Sequence, residues 1–299
     1  MAGVTSLGNA TRISVPPQVL VLGGVSSVQF GSAFANKLFA QAGPAGVVFL
    51  RLLFGAIVLM VLVRPRVTGR SRADWRAAVL FGAMLAGMNW SFYEALDRLP
   101  LGPAVTIEFL GPLTVAVLGS RRLLDVVWVM LAGGGVALLG LGGSHSGGGN
   151  LSTAGILLAL LAGTFWAGYI VMSKRIGSVF AGLDGLATAL VVGGVLLIPA
   201  GVSQGGHALL EPRVLAGGLA VALLSSVIPY SLELTALRRM SAAAFGLLMS
   251  LEPAVAALAG VLVLGQALRL NTTIALIMVV LASAGSTLTG RRSAVPLDA

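Results

Sequence analysis

Cysteine is absent from the 299-residue chain, and only two histidines occur, His145 and His207. Without thiols there are no disulfides, iron-sulfur centres or thiolate metal sites, and two histidines in predicted loops do not suffice for a zinc or non-haem iron centre. No metal and no cofactor are therefore expected. Charge is equally scarce, since Asp, Glu, Lys and Arg together make up 10% of the residues. A membrane-embedded enzyme would need a nucleophile with a positioned base, or a metal, and the apolar stretches contain neither histidine nor cysteine, so the chain does not read as an enzyme. What remains is apolar: 57% of the chain, with a mean hydropathy of +0.98, far outside the soluble globular range. This is the composition of an integral membrane protein. A net charge of +9 raises the question of nucleic acid, but the basic residues are scattered between apolar runs and form no tract, so no nucleic-acid partner is expected.

A helix crossing the roughly 30 Å hydrocarbon core needs about 20 apolar residues. Ten segments qualify, near residues 18–38, 44–63, 75–96, 101–119, 124–143, 153–173, 183–201, 214–235, 241–264 and 271–290. The Gly-rich stretch Ser144 to Asn150 joins the fifth to the sixth as a flexible tether, leaving two units at 18–143 and 153–290. With a cytoplasmic N-terminus, fourteen Lys and Arg fall on the inner side and four on the outer, with Arg51 left inside the second span. Both termini are thus expected in the cytoplasm of a multi-pass protein. Five spans per unit is an odd number, so the second unit starts from the opposite side. The expected fold is all-α, ten transmembrane helices as two inverted five-helix repeats, an arrangement suited to alternating access.

Two acids lie beside prolines within these spans: Glu108 with Pro112, and Glu252 with Pro253. An ionised side chain in hydrocarbon is costly unless it faces a partner or a watery cavity. A proline there removes one backbone hydrogen bond, kinks the helix and frees the carbonyl four residues earlier, which is that of Glu108 for Pro112 and of Met249 for Pro253. An offset of 141 residues lays Arg98 on Arg239, Ala95-Leu96 on Ala236-Leu237 and Pro112 on Pro253, with the two acids about one helical turn out of register. Interrupted segments at corresponding places in two halves point to a midplane binding site.

Glu108 and Glu252 are candidates for binding substrate or for taking up and releasing a proton; the alternative is a structural carboxyl bonded to a neighbouring helix. Arg51 can hold a substrate carboxylate or neutralise an acid, or its long side chain can snorkel to the interface, as expected for Lys37. Asn89 and Tyr230 bring hydrogen-bonding groups into apolar spans. Trp90 with Tyr93, and Trp166 with Tyr169, are three apart and share helix faces that suit either a cavity for a small organic solute or ordinary packing. Glu94, Asp97, Arg98 and Glu233 read as interfacial. Small residues four apart, at Gly31/Ala35, Gly82/Ala86, Gly133/Ala137 and Ala242/Gly246, mark close helix contacts.

The strings Gly87-Met88-Asn89, Pro100-Leu101-Gly102, Glu108-Phe109 before Gly111-Pro112-Leu113, Ser120-Arg121-Arg122, Trp128-Val129, Pro229-Tyr230-Ser231-Leu232-Glu233, Phe245-Gly246, Leu248-Met249-Ser250, Glu252-Pro253-Ala254 and Ala282 to Thr287 carry a resemblance. The chain resembles the drug/metabolite transporter superfamily with two EamA-type domains, and within it the bacterial threonine/homoserine exporters. The resemblance implies ten helices, an inner-membrane location and efflux of small amino acids, by proton antiport. It supplies no settled set of functional residues. The expected partners are a small-molecule substrate of the amino-acid type, a proton and the lipid bilayer, with a homodimer left open; efflux of another metabolite or of a toxic amphiphile is the alternative.

Overall fold

The computed structural model describes residues 15–66, 68–118, 123–141 and 151–290. The expectations on Arg12, Arg121, Arg122, Arg291, Arg292, His145 and the 144–150 tether lie outside these residues. Every element among the described residues is helical: α1 (Pro17–Asn36), α2 (Phe39–Val63), α3 (Arg72–Leu96), α4 (Leu101–Glu108), α5 (Leu110–Leu118), α6 (Leu123–Leu141), α7 (Thr153–Val179), α8 (Asp184–Gly205), α9 (Pro212–Ala222), α10 (Ile228–Leu237), α11 (Ala242–Met249), α12 (Glu252–Leu264) and α13 (Leu270–Gly290). Taken with α4–α5, α9–α10 and α11–α12 as single interrupted passes, these make ten crossings. Eight of them are long and apolar enough to span a membrane outright; α3 is as long but carries charges at its ends, and the apolar part of α6 is Val126–Leu139.

Local chemistry sets the boundaries. Ser71 and Asp74 form a reciprocal capping box at the start of α3, and Ser152 and Ser241 accept from the amides of Gly155 and Ala244 to cap α7 and α11. Gly265, at φ 65°, closes α12 in the left-handed conformation. Helix α7 continues past the apolar segment to Val179, because Lys174 and Arg175 favour helix once the chain has reached water.

The interruptions follow proline. The fourth pass breaks at Phe109, between α4 and α5, and the ninth at Ser250–Leu251, between α11 and α12. The eighth pass contains a π-turn at Leu223–Val227 ahead of Pro229. In the second, Gly43 at φ 65° precedes Pro44, and the side-chain oxygen of Gln204 accepts from the Ala45 amide that the break exposes.

Packing repeats between the halves. Helix α3 lies along α7 as α10 lies along α1; α3 meets α8 as α9 meets α2; α4–α5 cross α7 as α11–α12 cross α1. The pairs α2 with α8, α4 with α12 and α6 with α13 each join corresponding passes. This is the contact pattern of a pseudo-two-fold axis, and with five passes per half it makes the repeats inverted.

Glycine permits the closest of these approaches. A Cβ on Gly31 would run into Leu224 of the π-turn and one on Gly82 into Val192 of α8, so both positions are true helix crossings. Gly133 is different: no atom would lie within 4 Å of a Cβ there, and the α6–α13 contact falls instead on Gly135, against Ala275 and Met278.

Candidate functional site

The half-helices α4 and α12 run antiparallel and are held together near the N-terminal end of α4. A Cβ on Gly102 would lie 3.0 Å from that of Ala257, and the Leu101 amide donates to Gln266 Oε1 at 3.0 Å. Gly260 lies level with Leu101. Seven residues inward from Leu101 and eight inward from Gly260, about 10–12 Å at 1.5 Å per residue, stand Glu108 and Glu252. The antiparallel register therefore sets the two acids at one depth. The turn of mismatch seen when the halves are aligned in sequence disappears, because the helices run in opposite directions.

Both acids are buried, at 7% relative exposure, and interact electrostatically with each other. Glu108 is the last residue of α4. Its carbonyl, released by Pro112, lies over Gly163 of α7, and a Cβ on Gly111 would in turn be 2.6 Å from the Gly163 carbonyl carbon. The two glycines let backbone meet backbone at the break. Glu252 is the first residue of α12, where the helix dipole favours negative charge. Its Oε1 accepts from Gln29 Nε2 of α1 at 2.9 Å, while its Oε2 is buried with no hydrogen-bond partner.

Arg51 does not snorkel. It is buried at 5% exposure, with every nitrogen engaged: Nε donates to Ser226 Oγ (3.1 Å), Nη1 to the Tyr93 hydroxyl (3.2 Å) and Nη2 to the Ser225 carbonyl (2.7 Å). The guanidinium also stands 5.5 Å from the centre of the Tyr93 ring. The Ser225 carbonyl is the acceptor that Pro229, four residues later, leaves free. Burial of the charge is matched by these bonds and by Glu108, which lies within electrostatic reach.

The remaining candidates separate. Tyr93 is fully buried beneath Arg51, whereas Trp90 is 43% exposed on the outer surface of the bundle, so the two do not share an environment. Asn89 is buried one turn from Tyr93 and donates to Leu85 O of its own helix at 2.8 Å. Trp166 meets Phe109 edge-on, with ring centroids 5.5 Å apart, so it packs on the residue next to Glu108. Tyr169 stacks on Phe81 at 4.6 Å. Tyr230 interacts electrostatically with Arg51, Glu108, Glu233 and Glu252 and stands at the centre of the group. Lys37 is exposed at the C-terminal end of α1.

Four participants were not singled out by the sequence. Ser225 and Ser226 had a legible signal, because Pro229 lies inside an apolar span and its i−4 rule points to Ser225. Gln29 had only its polarity. Glu233 reads as interfacial, yet it turns inward: a Cβ on Gly24 would lie 3.2 Å from its Cγ and 3.3 Å from its Oε1. Besides Glu252 Oε2, three further buried polar atoms have no hydrogen-bond partner among the described residues: Gln29 Oε1, Ser32 Oγ and Ser225 Oγ. All belong to α1, the π-turn or the start of α12. Among the described residues no cluster of metal-ligating groups occurs.

The cluster thus holds one guanidinium, two carboxylates level with each other and a set of unfilled polar atoms, contributed by both halves. Away from it, a cavity of about 390 Å³ opens at the end of the bundle where α4 begins, between Arg98, Pro100, Ser152, Gln266 and Arg269.

Comparison with known proteins agrees with this architecture. The model of the EamA-like transporter family matches residues 17–143 and again residues 153–288. Threonine/homoserine exporter RhtA of Escherichia coli (strain K12) is 40% identical over 277 residues, 92% of each chain, and RhtA of Salmonella typhimurium (strain LT2) is equally similar. An uncharacterized protein of Pseudomonas aeruginosa, PA1977, is 30% identical over 227 residues, 73% of this chain and 75% of that one. A solved crystal structure superposes with a TM-score of 0.60 over 93% of this chain and 99% of that chain, and at 22% identity the likeness is one of fold.

Proposed function

Because the chain belongs to the EamA-like transporter family, we propose that it exports small amino acids of the threonine/homoserine type across the bacterial inner membrane, with both termini in the cytoplasm. One observation carries this reading: a buried guanidinium and two buried carboxylates from both halves converge beside buried polar atoms that have no partner. A zwitterionic amino acid is their complement. Its carboxylate pairs with Arg51, which has five N–H donors and commits three of them within the protein. Its ammonium group pairs with Glu108 or Glu252. A side-chain hydroxyl meets the unfilled oxygens of Gln29, Ser32 or Ser225. Tyr93 holds Arg51 in place, Asn89 and Tyr230 add hydrogen-bonding capacity, and Trp166 forms an apolar wall behind Glu108. The relatives named as threonine/homoserine exporters support the substrate class.

Transport proceeds by alternating access, as the inverted halves exchange conformations. Beneath the cavity lined by Pro100 and Gln266, the packing supports closure of the centre toward the outer side. Asn36 Nδ2 bonds Leu96 O at 2.9 Å, Gly102 lies against Ala257, and the helix from Leu101 to Glu108 is buried throughout. Toward the inner side Trp166, Tyr169, Tyr230 and Glu233 are partly accessible. This asymmetry supports an inward-facing state, ready to load from the cytoplasm. With both acids and Arg51 ionised the centre carries one excess negative charge. A proton neutralises an acid outright, whereas a zwitterionic substrate, neutral overall, pairs its ammonium group with that acid and its carboxylate with Arg51, so the two compete for one carboxylate. That competition couples export of substrate to entry of a proton.

Cells overproducing the protein should tolerate more external homoserine, and Glu108→Gln should abolish the tolerance at an unchanged membrane level. Protection against dyes or biocides without protection against amino acids would overturn the substrate assignment in favour of a toxic amphiphile or another metabolite.

A further inference from the structure

We infer that Glu233 is the inner station of a proton path that connects the cytoplasm to the Glu252–Glu108 pair, a role that rests on the proton-coupled export proposed above. Glu233 stands four residues from the inner end of α10, about 6 Å deep, and Glu252 ten residues from the inner end of its pass, about 15 Å deep. The carboxylates are thus staged, one between the inner mouth and the centre and two at the centre. Interactions follow the same order: Glu233 with Glu252, and Glu252 with Glu108.

A surface acid at the inner mouth would point to water and pair with Arg238 or Arg239, which are exposed nearby. Glu233 is only partly accessible and makes no such pair among the described residues. Its carboxylate lies against α1 in the space that the missing side chain of Gly24 leaves. The titratable groups that face it are Tyr169 from α7, Tyr230 from its own helix and Glu252 from α12; α1 presents glycine there and no charge. Helix α1 then links the stations, with Gly24 beside Glu233 and Gln29, five residues on, bonded to Glu252.

A proton reaching the centre from outside binds a carboxylate oxygen of the Glu108–Glu252 pair. It passes to Glu233 directly or through water, one O–H bond breaking as the next forms, and leaves to the cytoplasm. Each carboxyl is neutral while it holds the proton and anionic afterwards, so no other reactant is consumed.

The test uses the full chain in liposomes and two readouts: counterflow of labelled L-threonine at equal concentrations on both sides, which needs no net proton movement, and proton flux reported by an enclosed pH dye under a threonine gradient. Wild type should show both. Glu233→Gln should keep counterflow within about twofold while proton flux falls at least tenfold, and Glu233→Asp should restore part of that flux. Wild type without proton flux would overturn proton coupling itself, and the path with it. Equal proton flux in wild type and Glu233→Gln would overturn the path and leave coupling standing. Loss of counterflow as well would place Glu233 in substrate binding or in the scaffold, which also overturns it. If Glu233→Gln does not reach the membrane, Glu233→Asp alone decides: proton flux slowed more than counterflow supports the path, and equal slowing refutes it.

Discussion

Replacing Gly163 with alanine presses directly on the break that positions Glu108. The added methyl would lie 2.6 Å from the Glu108 carbonyl oxygen and 3.3 Å from both the Glu108 carbonyl carbon and the Gly111 nitrogen. Carbon–oxygen contacts of this kind settle near 3.3 Å, so the α4–α5 junction must withdraw by roughly 0.7 Å. No side chain can relieve the contact by swinging aside, because the three nearest atoms are all backbone. Overpacking of this sort costs about 1–3 kcal/mol, and here the upper end applies; better helix propensity returns about 1 kcal/mol, for a net loss of about 2 kcal/mol. Gly133→Ala is the matched control, because its methyl meets nothing within 4 Å and only the propensity gain remains. Heating the detergent-solubilised protein and measuring the surviving monodisperse fraction by fluorescence-detected gel filtration should place Gly163→Ala roughly 4–8 °C below wild type, at about 2–4 °C per kcal/mol. Gly133→Ala should match or exceed wild type. Threonine export should fall in Gly163→Ala alone, since the retreat carries Glu108 with it. A Gly163→Ala protein as stable and active as wild type, or an equal loss in Gly133→Ala, would refute the close-crossing account.

Other outcomes follow from the same structure. Arg51→Lys keeps the charge but cannot reach Ser226, Tyr93 and Ser225 together, and should cost about 1–3 kcal/mol in the same melting assay. Arg51→Gln also strips the central acids of their cation and should cost about 3–5 kcal/mol and abolish transport; Arg51→Lys melting with wild type would argue against the guanidinium fork, and equal melting of the two variants against the charge contribution. At the start of α3, hydrogen bonds from Ser71, led by its backbone N–H, hold the Asp74 carboxyl below its usual range. A depressed folded value means that this contribution is present above the unfolded carboxylate's pKa and is lost as pH falls through the folded one. Amide exchange in the first turn of α3, corrected for intrinsic rates, should therefore accelerate in acid, and less so in Ser71→Ala; the same acid response in both would count against the cap.

By itself the sequence determined the passes, their inverted arrangement and two of the places where they break, at Pro112 and Pro253; the breaks at Gly43 and at the π-turn came only with the structure. Hydropathy, the odd number of spans per half and the missing N–H of proline are local or countable properties. The rule that points Pro112 at the Glu108 carbonyl and Pro229 at that of Ser225 needs no partner helix. Only the tertiary structure decided which residues face one another. Lipid is as apolar as the interior of the bundle, so hydrophobicity does not mark which face of a helix turns inward. For that reason Trp90 and Tyr93, three residues apart, end in different surroundings, and Arg51 and Glu233, both assignable to an interface on length and position, turn into the protein. The depth of the two central acids is likewise a tertiary fact. Aligned in sequence they stand a turn apart, and antiparallel packing of α4 against α12, fixed by Gly102 on Ala257 and Leu101 on Gln266, makes them level.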